Sequence, residues 1–181
     1  AMGEIVGMAA AVCTANDCDP RAVYTNHLDE LKALMAIGAG RSIEAGGQGR
    51  FQLPGRTALI QGRQLRYEPD REALGYWRTS TDTAAWRIRI AAPTVFEVLI
   101  TAACPESEAG SPFTLRFTDE AGGAVSLESN VAATRSWDEH RSRSVGTVEL
   151  VAGDHLVVVE SGRASGPLMK LRHVELVPIV D

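Results

Sequence analysis

The chain has 181 residues, a net charge of −5 at neutral pH, and 45% hydrophobic against 23% charged residues. These values are ordinary for one globular domain with a substantial core and a short appendage. The negative charge argues against a nucleic-acid surface, which needs a basic face. No run reaches the ~18 consecutive apolar residues that span a bilayer.

Residues 1–45 are predicted to be an N-terminal extension with one amphipathic helix at about residues 20–36. Asp19 is a candidate N-cap, Pro20 suits the first helical position, and Gly38 follows as a stop signal. This is the one convincing helix in the sequence.

The apolar face of this helix needs a partner. Tyr24, Leu28, Leu31 and Met35 follow one another at spacings of four, three and four residues, which places them on one face. Either the helix docks on the domain that follows it, or it contacts a second chain. The second alternative predicts an assembly module, such as a homodimer.

Three cysteines cannot all pair within the chain. Cys13 and Cys18, in "CTANDC", can close a small disulfide loop if the protein is exported. Cys104 ends an apolar run and is predicted to be a small buried hydrophobe. The cysteines are too few, and lack nearby histidines, for a zinc site.

Residues 46–181 are predicted to be a β-sandwich module, because the hydrophobic period changes from helix to strand. "AAWRIRI" alternates Trp86 and Ile88 inward with Arg87 and Arg89 outward, which is typical of a half-buried antiparallel strand. "TVFEVLITAA" is apolar enough to predict a strand buried on both faces.

Further strand patterns follow at regular intervals. "PFTLRFT" places Phe113, Leu115 and Phe117 on one face; "EAGG" predicts a hairpin turn, as does Gly153 with the residue after it. Pro178 marks the end of the last strand. Eight or nine short strands with little helix predict an all-β, jelly-roll-like sandwich of two antiparallel sheets.

Catalytic constellations are missing from the sequence. It has no G-x-S-x-G elbow, no phosphate-binding glycine loop and no H-E-x-x-H motif. Its four histidines are scattered, and its paired carboxylates fall in turns, where such residues serve capping. We therefore predict that the protein is not an enzyme. The histidines are His27, His140, His155 and His173.

Four blocks in this order resemble the galactose-binding-like β-sandwich carbohydrate-binding modules of families 6 and 35. The likeness is strongest to the accessory domain of secreted bacterial α-L-fucosidases and sulfatases, and it covers about Arg50 to Val180. The blocks are "LRYEPDREALGYW" (Leu65–Trp77), "AAWRIRIAAPTVFEVLITAAC" (Ala84–Cys104), "GTVELVAGDHLVVV" (Gly146–Val159) and "LMKLRHVELVP" (Leu168–Pro178).

The resemblance implies a sugar site in the loops at one end of the sandwich. One aromatic residue of the site is Tyr76 or Trp77, the second is Trp137 in "TRSWDEH", and Lys170 stands where a polar residue completes the site. Sugar rings stack on aromatic faces, while their hydroxyls need planar polar partners. Glu68, Arg78 and Asp138 are predicted to supply those partners.

Two departures from the family pattern matter. Gln52 stands in "FQLPGR" where the families carry calcium-binding carboxylates, and Arg172 replaces the aspartate of the last strand. Calcium needs several oxygen ligands, so no calcium is expected at that position. Lys170 in the sugar site suggests an acidic or sulfated sugar.

The resemblance also implies a place and a partner. Such modules are non-catalytic and hold an attached or partner glycoside hydrolase or sulfatase near glycan, in extracellular or periplasmic proteins. The alternative is a β-sandwich assembly module that binds no sugar and contacts its partner through the N-terminal helix.

Overall fold

The protein forms two compact units, Ala1–Arg41 and Ser42–Asp181. The computed structural model describes residues 9–10, 12–13, 18–28, 42–162 and 166–179. None of the helices in this described part has the length and apolar character needed to cross a bilayer.

The N-terminal unit contains helix α1, Pro20–Asn26. A carboxylate oxygen of Asp19 accepts a hydrogen bond from the backbone N–H of Ala22 at 2.8 Å, which satisfies a donor left open at the helix start. The predicted N-cap and the proline in the first turn are therefore confirmed. Residues 29–36 of the predicted helix, with Leu31 and Met35, lie outside the described residues.

Cys13 and Cys18 are not joined by a disulfide in this structure. The backbone N–H of Cys18 donates to the carbonyl oxygen of Cys13 at 3.0 Å, so the two backbones are close. A bridge between them stays a prediction for the oxidised protein. Cys104 is fully buried, as predicted.

The described residues of the second unit form eleven strands. The first four are short: β1 (Phe51–Pro54), β2 (Leu59–Gln61), β3 (Arg66–Glu68) and β4 (Ala73–Gly75). The others are β5 (Thr83–Ile90), β6 (Thr94–Ala103), β7 (Pro112–Asp119), β8 (Ala124–Asn130), β9 (Arg141–Leu150), β10 (Gly153–Ser161) and β11 (Lys170–Pro178). The sequence predicted eight or nine because three-residue strands carry almost no periodic signal.

The strands form two antiparallel sheets. Sheet 1 has the order β3-β4-β11-β6-β9, with β1 also paired to β11, and sheet 2 has the order β2-β5-β10-β7-β8. One hydrophobic cluster contains buried residues from both sheets, as expected when two sheets stack face to face. The predicted all-β sandwich of two antiparallel sheets is confirmed.

Alternation along the strands explains this core. Trp86 and Ile88 of β5 are buried and Arg89 is exposed, as the period of two predicts. Strand β6 differs from its prediction: Phe96 and Val98 are buried, but the other face is only partly covered and Val95 is 41% exposed. Its second face lacks a covering layer, because no helix or third sheet packs there among the described residues.

Ile43, which the sequence assigned to the N-terminal extension, forms an isolated β-bridge with Ile88 of β5 in sheet 2. The N–H of Ile43 donates to the carbonyl of Arg87 at 2.8 Å, and the N–H of Arg89 donates back to Ile43 at 3.2 Å. A single bridging residue is too short to show a strand pattern. The compact unit that contains the sandwich begins at Ser42, and the predicted module boundary at residue 46 stays a prediction.

Candidate functional site

A cavity of about 310 Å³ opens at one end of the sandwich, and we call it the end cavity. Its walls come from the end of β3, the turn after β4, the β6–β7 and β8–β9 loops, and the segment before β11. Six of the seven residues predicted for a sugar site line it: Glu68, Tyr76, Trp77, Arg78, Trp137 and Lys170. Asp138 does not.

Trp77 forms part of the cavity wall but does not offer its ring to a ligand. Its side chain is 1% exposed, and its indole N–H donates to the carbonyl oxygen of Asp82 at 2.8 Å. The Trp77 carbonyl in turn accepts from the N–H of Leu168 at 2.8 Å. Trp77 therefore holds the turn after β4 against the segment before β11, so it has a packing role.

Tyr76 carries the exposed ring at this position. It is 44% exposed, and the guanidinium carbon of Arg66 lies 3.6 Å from the ring centroid, so a cation–π contact fixes one ring face. The backbone of Tyr76 has φ = 60°, a left-handed conformation that costs a non-glycine residue about 1–3 kcal/mol. Such strain is concentrated at functional sites. Of the two predicted alternatives, Tyr76 is the residue whose ring is accessible.

Trp137 enters the cavity from the β8–β9 loop. It is half-buried and packs against the core cluster. Thr134 anchors the loop: its N–H donates to the carbonyl of Cys104 at 2.6 Å, and its hydroxyl accepts from the N–H of Cys104 at 2.9 Å. The loop backbone that carries Trp137 is thereby tied to the end of β6.

Asp138 was predicted to bind sugar and lies elsewhere. Its carboxylate forms an ion pair with Arg71, which is also 3.7 Å from Glu68. The backbone N–H of Asp138 donates to the hydroxyl of Ser136 at 3.2 Å, which sets the turn. The sequence placed Asp138 in the site because it adjoins Trp137, but successive residues of a turn point in different directions.

Glu68 and Lys170 form an ion pair in the cavity wall. Nζ of Lys170 lies 3.2 Å from Oε2 of Glu68. The other carboxylate oxygen, Oε1, is buried and has no hydrogen-bond partner within the protein. A Cβ on residue 75 would overlap this oxygen, so glycine is required there for the carboxylate to lie against the backbone.

Sequence reasoning missed four residues of the end cavity. They are Glu108, Pro167, Leu168 and Met169. The last three directly precede Lys170 in the sequence, and this adjacency to a predicted site residue is the one feature that could have indicated them. Glu108 has no local signal, because only the tertiary fold brings the β6–β7 loop to this end. With Glu108 included, the cavity is lined by two acidic and two basic side chains, so their formal charges cancel.

A basic cluster adjoins Glu68. Arg71 and Arg172 are joined there by a hydrogen bond from the guanidinium of Arg172 to the Arg71 carbonyl at 3.4 Å. Burial, and then the charges of Arg172, Lys170, Arg71 and His173, lowers the pKa of His140 from 6.5 to about 4. His140 is therefore neutral at pH 7.

This cluster consists of cations and not of the oxygen ligands that calcium needs, and the absence of calcium stays a prediction. The charged groups around Arg172 include other cations, and a guanidinium cannot stand among the oxygen ligands that calcium needs. Gln52 lies on β1 opposite Glu175 and carries no negative charge. Among the described residues, no group of three or more His, Cys, Asp or Glu side chains is placed to hold a metal.

One histidine and two carboxylates outside the end cavity have structural hydrogen bonds. His155 is buried and its Nε2 hydrogen-bonds the carbonyl of Val151 at 2.8 Å, as predicted for a structural histidine. Asp119 accepts a hydrogen bond from the N–H of Gly123 at 2.8 Å and so caps the β7–β8 hairpin. Glu139 pairs with Arg141 at 2.8 Å.

Solved structures with a similar arrangement of strands include carbohydrate-binding modules. One is the C-terminal family 6 module of LamC, a marine laminarinase from Zobellia galactanivorans, with 17% identity and a TM-score of 0.57 over 71% of this chain and 98% of that one. Another is a family 35 module from Clostridium thermocellum, with 12% identity and a TM-score of 0.59 over 70% and 96%. A third is a family 6 module from Clostridium cellulolyticum in complex with xylose, with 18% identity and a TM-score of 0.52 over 68% and 94%. The fold is that of these modules.

The predicted resemblance to families 6 and 35 is therefore confirmed at the level of the fold. No protein-family model matches the sequence, and no curated protein sequence matches it. The narrower likeness to accessory domains of fucosidases and sulfatases stays a prediction. So does the assembly alternative, because two residues of its apolar face, Leu31 and Met35, lie outside the described residues.

Proposed function

We propose that the sandwich is a non-catalytic carbohydrate-binding module whose end cavity holds one unit of a glycan. One observation carries this proposal: the ring of Tyr76, the ring of Trp137 and the Glu68–Lys170 pair line the same cavity. A pyranose has apolar C–H faces and polar edges, so it needs this combination of aromatic surface and hydrogen-bonding groups.

The Glu68–Lys170 pair suits two neighbouring hydroxyl groups of a sugar. The ammonium is a donor only and the carboxylate an acceptor only, so together they can bind a hydroxyl pair without a change of charge. The acidic or sulfated ligand was inferred from Lys170 alone. Glu68 balances that charge, and the cavity is lined by one further basic and one further acidic side chain, Arg78 and Glu108. Because the formal charges of the four side chains cancel, we propose a neutral sugar for the end cavity.

The module would serve an enzyme by keeping it near glycan. The attached or partner protein would be a glycoside hydrolase or a sulfatase in an extracellular or periplasmic setting. For the hydrolase, this role is supported by the shared fold with a module of a laminarinase and with the family 35 module of a mannanase.

A glycan array followed by calorimetry tests the proposal. Wild-type protein should bind at least one neutral oligosaccharide better than its sulfated or uronic counterparts. Trp137→Ala and Tyr76→Asn should each weaken that binding on the order of tenfold or more, because each removes an apolar stacking surface. Asparagine is chosen because it tolerates the left-handed backbone of Tyr76.

Tyr24→Ala is the matched control. It removes an aromatic ring that is 72% exposed and does not line the end cavity. All variants should keep the wild-type circular dichroism spectrum. A wild-type protein that retains no glycan, or an equal loss of binding in Tyr24→Ala, would contradict the proposal.

A further inference from the structure

We propose a second binding site, for a sugar acid, in a cavity of about 220 Å³ at the open side of the sandwich between β8 and β9. We call it the side cavity. The two cavities share no lining residue, so this proposal does not depend on which ligand the end cavity binds. Its floor includes Ile100 and Val131, and its walls include Ser129, Asn130, Arg141 and Arg143.

A bulge in β9 brings two arginines to the inner face of sheet 1. Before the bulge, the buried Val148 lies opposite Phe96. The register then shifts between Val98 and Leu99, and beyond it Arg143 lies opposite the buried Ile100. Residues directly opposite each other in an antiparallel pair share a face of the sheet, so Arg143 stands beside Ile100 where an apolar side chain is expected.

Arg141 lies opposite Ala102 by the same register. Both arginines therefore lie on the core-facing side of β9, but at the open edge of the sheet, where both stay exposed to solvent. Alanine is small, which leaves room above it for the ligand.

The facing strand β8 leaves the space open. Ser129 lies opposite the buried Phe113, and Leu127 opposite the buried Leu115, so both point toward the other sheet. Leu127 closes the lower part of the gap, since a Cβ on Gly146 would lie 3.3 Å from Cδ2 of Leu127. Ser129, one inward position further on, is too small to do the same. The side cavity therefore exists because Ser129, a small polar residue, stands at a position where a large apolar side chain would fill the space.

The charge of the side cavity is positive. Arg141 is neutralised by Glu139, whose Oε1 accepts from Nε at 2.8 Å. Within the described part of the chain, the guanidinium of Arg143 has no hydrogen-bond or ion-pair partner, and no carboxylate lines the cavity. A planar guanidinium binds a carboxylate with two parallel hydrogen bonds, which makes Arg143 the anchor for an anionic group.

The remaining walls suit a polyhydroxylated ligand. The hydroxyl groups of Ser129 and Ser144 and the amide of Asn130 offer both donors and acceptors, while Ile100 and Val131 offer an apolar surface. No aromatic ring lines this cavity, so the site would depend on the anion more than on stacking. Inward charges on an edge strand also prevent pairing with other chains. Protection of the edge strand would explain the two arginines, but it would require neither the side cavity nor the polar residues that line it.

Amide chemical shifts measured by two-dimensional NMR test this proposal on the full chain. Sodium glucuronate should shift the amide signals of Ser129, Asn130 and Ser144 in a saturable manner, while glucose should not. Arg143→Gln should weaken glucuronate binding about tenfold or more, since a hydrogen bond to a charged group is lost. Arg116→Gln, which removes the same charge from a strand position facing outward, should leave it unchanged.

A second variant keeps the test independent of Arg143. Ser129→Leu should fill the side cavity and abolish the shifts while preserving the fold. Failure of wild-type protein to bind glucuronate, equal binding of glucose, or binding of sodium sulfate as tight as that of glucuronate would each overturn the proposal. Loss of glycan binding in Trp137→Ala has no bearing on it, so the two sites can fail separately.

Discussion

Lys170 and Glu68 are 102 positions apart in the sequence, yet Nζ of one lies 3.2 Å from Oε2 of the other. Their side chains are 15% and 16% exposed, so the pair is largely withdrawn from water. It joins the start of β11 to the end of β3 and at the same time forms the polar wall of the end cavity. An ion pair in this position contributes to stability and to recognition, and the two contributions can be separated.

The Glu68–Lys170 pair should be energetically coupled. Glu68→Gln and Lys170→Met should each lower the free energy of unfolding by about 1–2 kcal/mol. The first leaves the partly buried ammonium unpaired, and the second leaves Glu68 with only the more distant Arg71 at 3.7 Å. The double variant should cost less than the sum of the two. Urea titrations of all four proteins measure this coupling. Strictly additive losses would show that the two side chains do not interact.

Trp77 should matter for stability rather than for sugar. Trp77→Phe removes the hydrogen bond to the Asp82 carbonyl and leaves that oxygen unsatisfied, which should cost about 1–3 kcal/mol of unfolding free energy. Binding should weaken only as far as the fold does. Thermal unfolding measures the stability of the variant, and calorimetry measures its glycan affinity. Trp137→Ala is the contrasting variant, since it should lose glycan affinity and keep its fold. A folded Trp77→Phe protein that has lost all glycan binding would contradict the packing role.

Acid should weaken the fold through His140. Its pKa is lowered from 6.5 to about 4 in the folded chain, so the unfolded chain binds more protons between these two values. Stability contributed by neutral His140 is therefore present above pH 6.5 and is lost as the pH falls toward 4. His140 is only partly buried, and after allowance for solvent screening we expect a loss of about 1–2 kcal/mol.

His140→Gln measures this loss. Urea titrations at pH 7.5 and pH 4.5 should show a smaller drop in the variant than in wild type. The lowered pKa of His173, caused first by burial, acts in the same direction and remains in both proteins. An equal drop in wild type and variant would remove His140 as a cause.

Calcium should leave this protein unchanged. The charged groups near Arg172 include Arg71 and Lys170, which repel a divalent cation. Addition of calcium chloride, or of EDTA, should therefore shift neither the unfolding midpoint nor glycan affinity. A midpoint that rises with calcium concentration would reveal a site that these residues do not provide.

Cys13 and Cys18 should form a disulfide under oxidising conditions. The 3.0 Å hydrogen bond between their backbones brings their Cα atoms within the range of about 4–7 Å that a bridge requires. Alkylation followed by peptide mass spectrometry, with and without reductant, detects the bridge. Full labelling of both cysteines before reduction would exclude it.

Local patterns account for the parts of the structure that were predicted correctly. The burial of Trp86 and Phe113 follows from a period of two, and the start of α1 follows from Asp19 before Pro20. These features depend on neighbours one to four positions away. The membership of Tyr76, Trp137 and Lys170 in one site came from the resemblance, which carries spatial information that no single segment holds.

The sequence by itself determined the sandwich and its alternating faces, while the resemblance to families 6 and 35 supplied most of the predicted members of the end cavity. Only the tertiary structure decided that Trp77 is sealed while Tyr76 is exposed, and that Glu68 balances Lys170. It also decided that a one-residue bulge turns Arg143 inward. The physical reason is that burial, charge pairing and strand register are set by residues distant in the chain, whereas periodicity reports only which residues can share a face.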